Sequence, residues 1–258
     1  MIVIDPQAFV HPDAKLGNNV KVGPWTYIGA DVEIGDDTEI MSHVVIKGPT
    51  VIGKRNRIFQ FASVGEECQD KKYKGEPTRL VIGDDNIIRE SVTIHRGTVQ
   101  DQGLTAIGSN CLLMAYVHVA HDCIIGDNVI MANYSALAGH AHVGDWAILG
   151  GQSGIHQFCR VGAHAFVGAC ALVVQDVPPF VTCAGMRAEP FGINFEGLKR
   201  RGFSKDSLQA LRKAYKALYR QNLTLEQAKE ELAKLATDEP AVAQMLHFID
   251  KSERGIIR

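Results

Sequence analysis

"IGSNCLLMAYVHVAHDCIIGDNVIMANYSALAGHAHV", residues 107–143, decides the fold. Read at every sixth position it gives Ile107, Leu113, Val119, Ile125, Met131, Leu137 and Val143, and the series continues through Leu149, Ile155, Val161 and Val167 to Val173. In a chain that is 46% hydrophobic, twelve successive hits in one register are a coincidence of roughly one in 10,000. Upstream the same beat runs from Val10 through Leu16, Val22, Ile28 and Ile34 to Val64, and it returns at Ile82, Ile88 and Ile94. A six-residue period is the signature of a parallel β-helix. One apolar residue per sextet points inward, small residues turn the corners, and three sextets close a coil of about 18 residues. An ordinary sandwich would show period two instead. The hexads of this chain make about eight coils, each pairing its backbone with its neighbours.

Two interruptions break the beat. Two stretches, near 66–81, within "GEECQDKKYKGEPTRLV", and near 97–106, with "GTVQDQGLTA", read as loops that leave the wall. The hexads end at "VVQDVPPF", and a domain boundary falls near residue 190. Residues 1–190 form the β-helix, and residues 191–258 form an α-helical domain that covers its open end or flank. Ser204 caps a helix whose Leu208, Leu211, Tyr215 and Leu218 recur at helical spacing. Thr224 with Gln227 reads as a capping box, and Asp238 with Pro240 opens a last helix.

With 27 Lys and Arg against 29 Asp and Glu, the chain has no global charge to attract nucleic acid or an anionic membrane. No stretch approaches the roughly 20 apolar residues of a membrane span, and the N-terminus lacks a basic segment followed by an apolar run. A soluble, cytoplasmic protein is expected. The six cysteines have no C-x-x-C spacing and suit reduced thiols used as small core residues.

Coil length allows residues to be stacked. Positions 18 apart lie above one another, so His121, Gly139 and Gln157 form one row, and Asp122, His140 and Phe158 the next. Ala120, Ala138 and His156 form a third row, and His118 begins a fourth with Ala136 and Gly154. None of these histidines takes the inward position, so they gather as a polar patch among small residues. Two chemistries fit. Three histidines can hold zinc, since neutral imidazoles suit a tetrahedral site. Alternatively, His121 is a general base beside the Asp122 carboxylate, and the Gly139 N–H above it stabilises an oxyanion. No Ser or Cys stands beside them as a nucleophile, which favours direct transfer from an activated donor.

The segments "RESVTIHRGTVQ", "HVAHDC", "ALAGHAHV", "HQFC", "QDVPPFV" and "FGINFEGLKRRGFS" closely resemble the acyl-[acyl-carrier-protein]–UDP-N-acetylglucosamine O-acyltransferases, essentially end to end. The resemblance implies a left-handed β-helix assembled as a parallel homotrimer, with active sites between subunits. It implies transfer of an (R)-3-hydroxyacyl chain from acyl carrier protein to the 3-hydroxyl of UDP-N-acetylglucosamine, the first step of lipid A biosynthesis, with no cofactor and no metal. His121 matches the base, Asp122 its orienting partner and Gly139 the oxyanion donor. For the sugar nucleotide the resemblance brings in Asp70, Lys72, His118, His140, His156, Gln157, Asn194, Glu196, Arg200 and Arg201. Ala169 matches the position that limits acyl length. Lys71 stands where an apolar residue is usual and adds a cation near the nucleotide; Met186 stands where asparagine is usual, so contacts made there do not carry over. The related N-acyltransferases carry an N-terminal uridine-binding domain, whereas here hexads begin by Val10. A β-helix carbonic anhydrase would need zinc and no "NFEGLKRR" segment. A purely structural β-helix would show regular ladders instead of an irregular histidine patch.

Overall fold

The computed structural model describes residues 1–258. Strands mostly two residues long follow one another along the chain, each lying parallel on the strand one coil below. They build three walls. The first wall starts at Val3–Ile4, the second at Phe9–Val10 and the third at Lys15–Leu16. The predicted 18-residue stacking is met on the second wall, where Ala136 pairs with His118 on one side and Gly154 on the other.

From Val22 to Val173 every residue on the six-residue beat is no more than 3% exposed. Burying one such side chain stabilises by about 1.5–3 kcal/mol, which explains why apolar identity holds here and lapses elsewhere. Val10 and Leu16 are only half-buried, because the first coil has no neighbour on its outer side. A second buried column lies two residues before the first: Cys111, Val117, Cys123, Val129, Ser135, Ala141, Ala147, Ser153 and Cys159. It accounts for three of the cysteines as small core residues, and all six cysteines are free. Burial pushes the Cys111 thiol up to about 11 and Cys123 to about 12, leaving both protonated and unreactive at neutral pH.

Most corners turn through one residue in the left-handed backbone region, three positions before the inward residue: Asp122 (φ 57°), His140 (φ 62°) and Phe158 (φ 64°) among them. Aspartate, asparagine and histidine are enriched in that region. Ladder bonds on either side hold it, since the His140 N–H donates to the His121 carbonyl and the Phe158 N–H to the Gly139 carbonyl.

Both interruptions leave the coil at the corner between the second and third walls. The chain departs after Glu66 and rejoins at Arg79, then departs after His95 and rejoins at Leu104. The strands on either side still pair, Ser63 with Thr93 and Thr93 with His118, so neither insertion disturbs the stack.

Past the last coil, Glu189–Ile193 pairs antiparallel with Val181–Ala184 and extends the first wall beyond residue 190. Four helices follow: α1 (Phe195–Arg200), α2 (Lys205–Tyr219), α3 (Leu225–Ala236) and α4 (Pro240–Asp250). Ser204 caps α2 by accepting the Ser207 N–H, and Thr224 with Gln227 forms the reciprocal capping box of α3. The cap of α4 is Glu239, not Asp238: Pro240 is the first helical residue, and the cap is the residue directly before it. Leu198, Leu211, Leu218, Val242 and Met245 join the same continuous core as the coil residues. The C-terminal tail closes the top. Ser252 donates its hydroxyl to the buried Asp176 carboxylate at 2.7 Å, and the Ile257 N–H donates to the Asp176 carbonyl.

Candidate active site

The corner between the second and third walls carries the histidine patch. His121 donates Nδ1–H to Asp122 Oδ2 at 2.8 Å. Its side chain is 17% exposed, while that of Asp122 is 1% exposed. A buried carboxylate needs compensating donors. Asp122 has three: His121, the Thr98 hydroxyl at 2.6 Å on Oδ2 and the Thr98 N–H at 2.8 Å on Oδ1. Burial works to raise the Asp122 pKa, but these hydrogen bonds and the nearby His140 together hold it below the ordinary carboxylate range. The Asp122 backbone N–H donates to Thr105 Oγ1 at 2.8 Å, fixing the corner from behind.

With Nδ1–H committed to Asp122, the other ring nitrogen of His121 carries the free lone pair. That nitrogen faces Gly139. A Cβ added at Gly139 would stand 2.5 Å from His121 Cε1 and 2.6 Å from Nε2, so only glycine leaves room for the ring. The Gly139 N–H has no acceptor within the chain. A basic nitrogen and an unpaired N–H donor therefore sit side by side, the arrangement needed to take a proton from an attacking hydroxyl and to stabilise an oxyanion.

His140 lies one coil above Asp122, edge-on to His121 with ring centroids 5.0 Å apart and stacked on Phe158 at 4.4 Å. It donates Nδ1–H to Asp101 Oδ2 at 2.9 Å, and its Nε2 is 3.9 Å from Asp122. His121, Asp122 and His140 place possible ligand atoms within 4.8 Å of one another, so the metal reading has a definite candidate set. His118 pairs with Thr93 Oγ1 at 2.8 Å through Nδ1, and burial, then the neighbouring His95, lowers its pKa. His156 and Gln157 follow on the next coil and are exposed.

The first loop rises over the same corner. Asp70 turns it by accepting the Lys72 N–H at 2.9 Å, which leaves the Lys72 side chain in solvent. His95, buried, ties this loop down: its Nδ1–H donates to the Glu67 carbonyl at 2.7 Å, and its Nε2 meets Gln69 Nε2 at 3.1 Å. Arg96 adds a bond to the Tyr73 hydroxyl at 3.1 Å.

Other predicted residues lie elsewhere in the chain. Arg201 is at the corner between the third and first walls, donating to His164 Nδ1 at 3.1 Å and resting over Trp146. Burial lowers its pKa. Arg200 and Glu196 are exposed on α1 near the same corner. Asn194 serves the fold, capping α1 through Gly197 N–H and donating to the His164 carbonyl at 3.0 Å. Ala169 is exposed at the remaining corner, between the first and second walls. One chain thus unites Asp70, Lys72, His118, His121, Asp122, Gly139, His140, His156 and Gln157, but not Ala169 or the α1 residues. Sequence reasoning missed His95, Thr98, Asp101 and Thr105. Their only signal is that "HRGTVQDQGLT" sits on the register break directly before the histidine patch.

Residues 176–257 match the family model described as UDP N-acetylglucosamine O-acyltransferase, domain 2, and residues 105–139 match the bacterial transferase hexapeptide model. An acyl-[acyl-carrier-protein]–UDP-N-acetylglucosamine O-acyltransferase of Saccharophagus degradans is 57% identical over the full length of both chains. The chain belongs to this family. The structure of LpxA from Acinetobacter baumannii superposes with a TM-score of 0.97 at 48% identity, covering 99% of this chain and 100% of that one. A UDP-N-acetylglucosamine acyltransferase from Francisella novicida gives 0.97 at 45% identity, covering 99% and 94%. The fold is accordingly the left-handed parallel β-helix with a helical C-terminal domain. No helix is long and apolar enough to cross a membrane.

Proposed function

We propose that the chain moves an (R)-3-hydroxyacyl group from acyl carrier protein to the 3-hydroxyl of UDP-N-acetylglucosamine, with His121 as general base. The O-acyltransferase activity on these two substrates, which belongs to lipid A biosynthesis, follows from family membership at 57% identity over the whole chain. The observation that carries the mechanism is the free Nε2 of His121 beside the unpaired Gly139 N–H. His121 takes the proton of the sugar hydroxyl as its oxygen attacks the thioester carbonyl. The oxyanion accepts the Gly139 N–H, and collapse expels the carrier's thiol, which leaves with the proton held by His121. Asp122 keeps the ring in the required tautomer and offsets the charge that develops on it. Lys72 supplies one local cation for the diphosphate, and Arg200 with the adjacent Arg201, which stand at another corner, supply others from a neighbouring chain.

The same reading includes a homotrimer. Arg200, Arg201 and Ala169 stand at other corners from His121, and a threefold assembly brings different corners of neighbouring chains together. The corner between the first and second walls also exposes an aromatic column of Trp25, Phe61, Tyr116 and Tyr134, an apolar surface suited to packing against a second copy. A sedimentation mass of three chains is expected, and a monodisperse monomer would reject the assembly.

Transfer of labelled 3-hydroxyacyl groups from carrier protein to UDP-N-acetylglucosamine, with metal-stripped protein, tests the mechanism. His121→Ala should lower kcat by about 10²-fold or more while binding of the nucleotide persists. A near-normal kcat rejects the base. Loss of wild-type transfer on stripping, restored by zinc, would instead assign His121, Asp122 and His140 to a metal.

A further inference from the structure

We infer that Thr98 is a positioning residue for the reaction, and that the insertion between His95 and Leu104 that bears it serves to hold His121 and Asp122 in place. This inference rests on the assignment of His121 as base. Asp122 is buried and its two oxygens meet Thr98 twice, through the hydroxyl at 2.6 Å and the N–H at 2.8 Å. Oδ2 receives both the Thr98 hydroxyl and the His121 Nδ1–H. The rotation of the carboxylate, and with it the direction of the His121 ring, is therefore set from the loop as well as from the wall.

The insertion is built to deliver that residue. A Cβ at Gly97 would lie 2.1 Å from the Leu104 N and 2.8 Å from Asp122 Oδ1, so glycine lets the chain pass close enough for Thr98 to reach the carboxylate. The Thr98 carbonyl accepts the Gly103 N–H at 3.0 Å, closing the loop on itself, and the Arg79 N–H binds the Gly103 carbonyl at 2.9 Å. Gly103 takes φ +64°, the turn that permits this closure. Thr98 is itself 1% exposed, so its hydroxyl has Asp122 as partner with no solvent to compete. Regular corners offer a carboxylate of the next coil one backbone N–H, as Ser109 does for Asp127 at 2.7 Å, whereas Thr98 gives Asp122 both its N–H and its hydroxyl.

The test uses Thr98→Val and Thr98→Ser in the full-length protein, measured in the acyl-transfer assay alone and in the His121→Ala background. Valine keeps the shape and the N–H but removes the hydroxyl. It should lower kcat about 10-fold with KM for UDP-N-acetylglucosamine within about 2-fold, and serine should restore most of the rate. In the His121→Ala background Thr98→Val should cost nothing further, because the residue acts through the ring. Equal losses with valine and serine, or a full additional loss in the His121→Ala background, would overturn the inference. If His121→Ala retains wild-type rate, the base assignment fails. If His121→Ala is inactive while Thr98→Val is normal, only the role of Thr98 fails.

Discussion

Gly139→Ala is the sharpest test of the site's geometry. The added Cβ would sit 2.5 Å from His121 Cε1, whereas ordinary carbon contacts begin near ~3.5 Å, so the ring must retreat by about 1 Å. The backbone at Gly139 is not in the left-handed region, and the three atoms nearest the added Cβ are all in the His121 side chain, so the closest clashes are relieved by moving that ring. The ring's hydrogen bond to Asp122 is 2.8 Å long, and a displacement of that size disrupts its length or alignment. A 1 Å misplacement costs about 10²-fold in rate, or about 2.7 kcal/mol of transition-state stabilisation. Alanine preserves the backbone N–H, which isolates the ring as the cause. Steady-state acyl transfer with both substrates saturating should show kcat down about 10²-fold, with the thermal midpoint within a few degrees of wild type. A kcat within about 3-fold of wild type would mean that the observed ring position is not the working one.

Arg201→Ala should raise KM for UDP-N-acetylglucosamine well above its effect on KM for the acyl donor; equal effects on both would assign Arg201 to the fold through His164 and Trp146. Burial, then the adjacent Arg201, lowers the His164 pKa to about 4, so between about pH 6.5 and 4 the unfolded chain holds a proton that the native chain does not. Stability should therefore decline as pH falls through that window, and His164→Gln should flatten the slope of thermal midpoint against pH; parallel slopes would discount the site. Leu137→Ala, at a fully buried inward position, should cost about 2–5 kcal/mol in chemical denaturation, and a loss under about 1 kcal/mol would mean that the axis is not tightly packed.

The inward beat was legible because full burial demands large apolar side chains at a fixed interval. The second buried column was not, because Val117 and Val129 are interspersed there with Ala, Ser and Cys, whose small side chains carry little hydrophobic signal. His121, Asp122 and Gly139 could be brought together by counting 18 residues, since nothing interrupts the coils from Ile107 onward. Thr98 and Asp101 could not, because an insertion has no register to count. Arg200 and Arg201 lie beyond the last hexad, where helical packing instead of coil arithmetic sets position. The Asp238 misreading came from treating an acidic residue two before a proline as the cap when Glu239 stood closer.

The corner insertions also bear on how the chain folds. Partners within the regular coils are 18 residues apart, as with His118 and Ala136, but Arg57 and Ile87 are 30 apart. Closing the longer loop costs only about 0.5 kcal/mol more than closing a regular coil, because loop entropy grows with the logarithm of length. A β-helix can therefore carry a long functional excursion almost free of thermodynamic penalty, provided the chain rejoins at the point it left. The same corner should accept grafted loops of other lengths and sequences, which makes the coil a rack on which new binding segments can be hung one storey at a time.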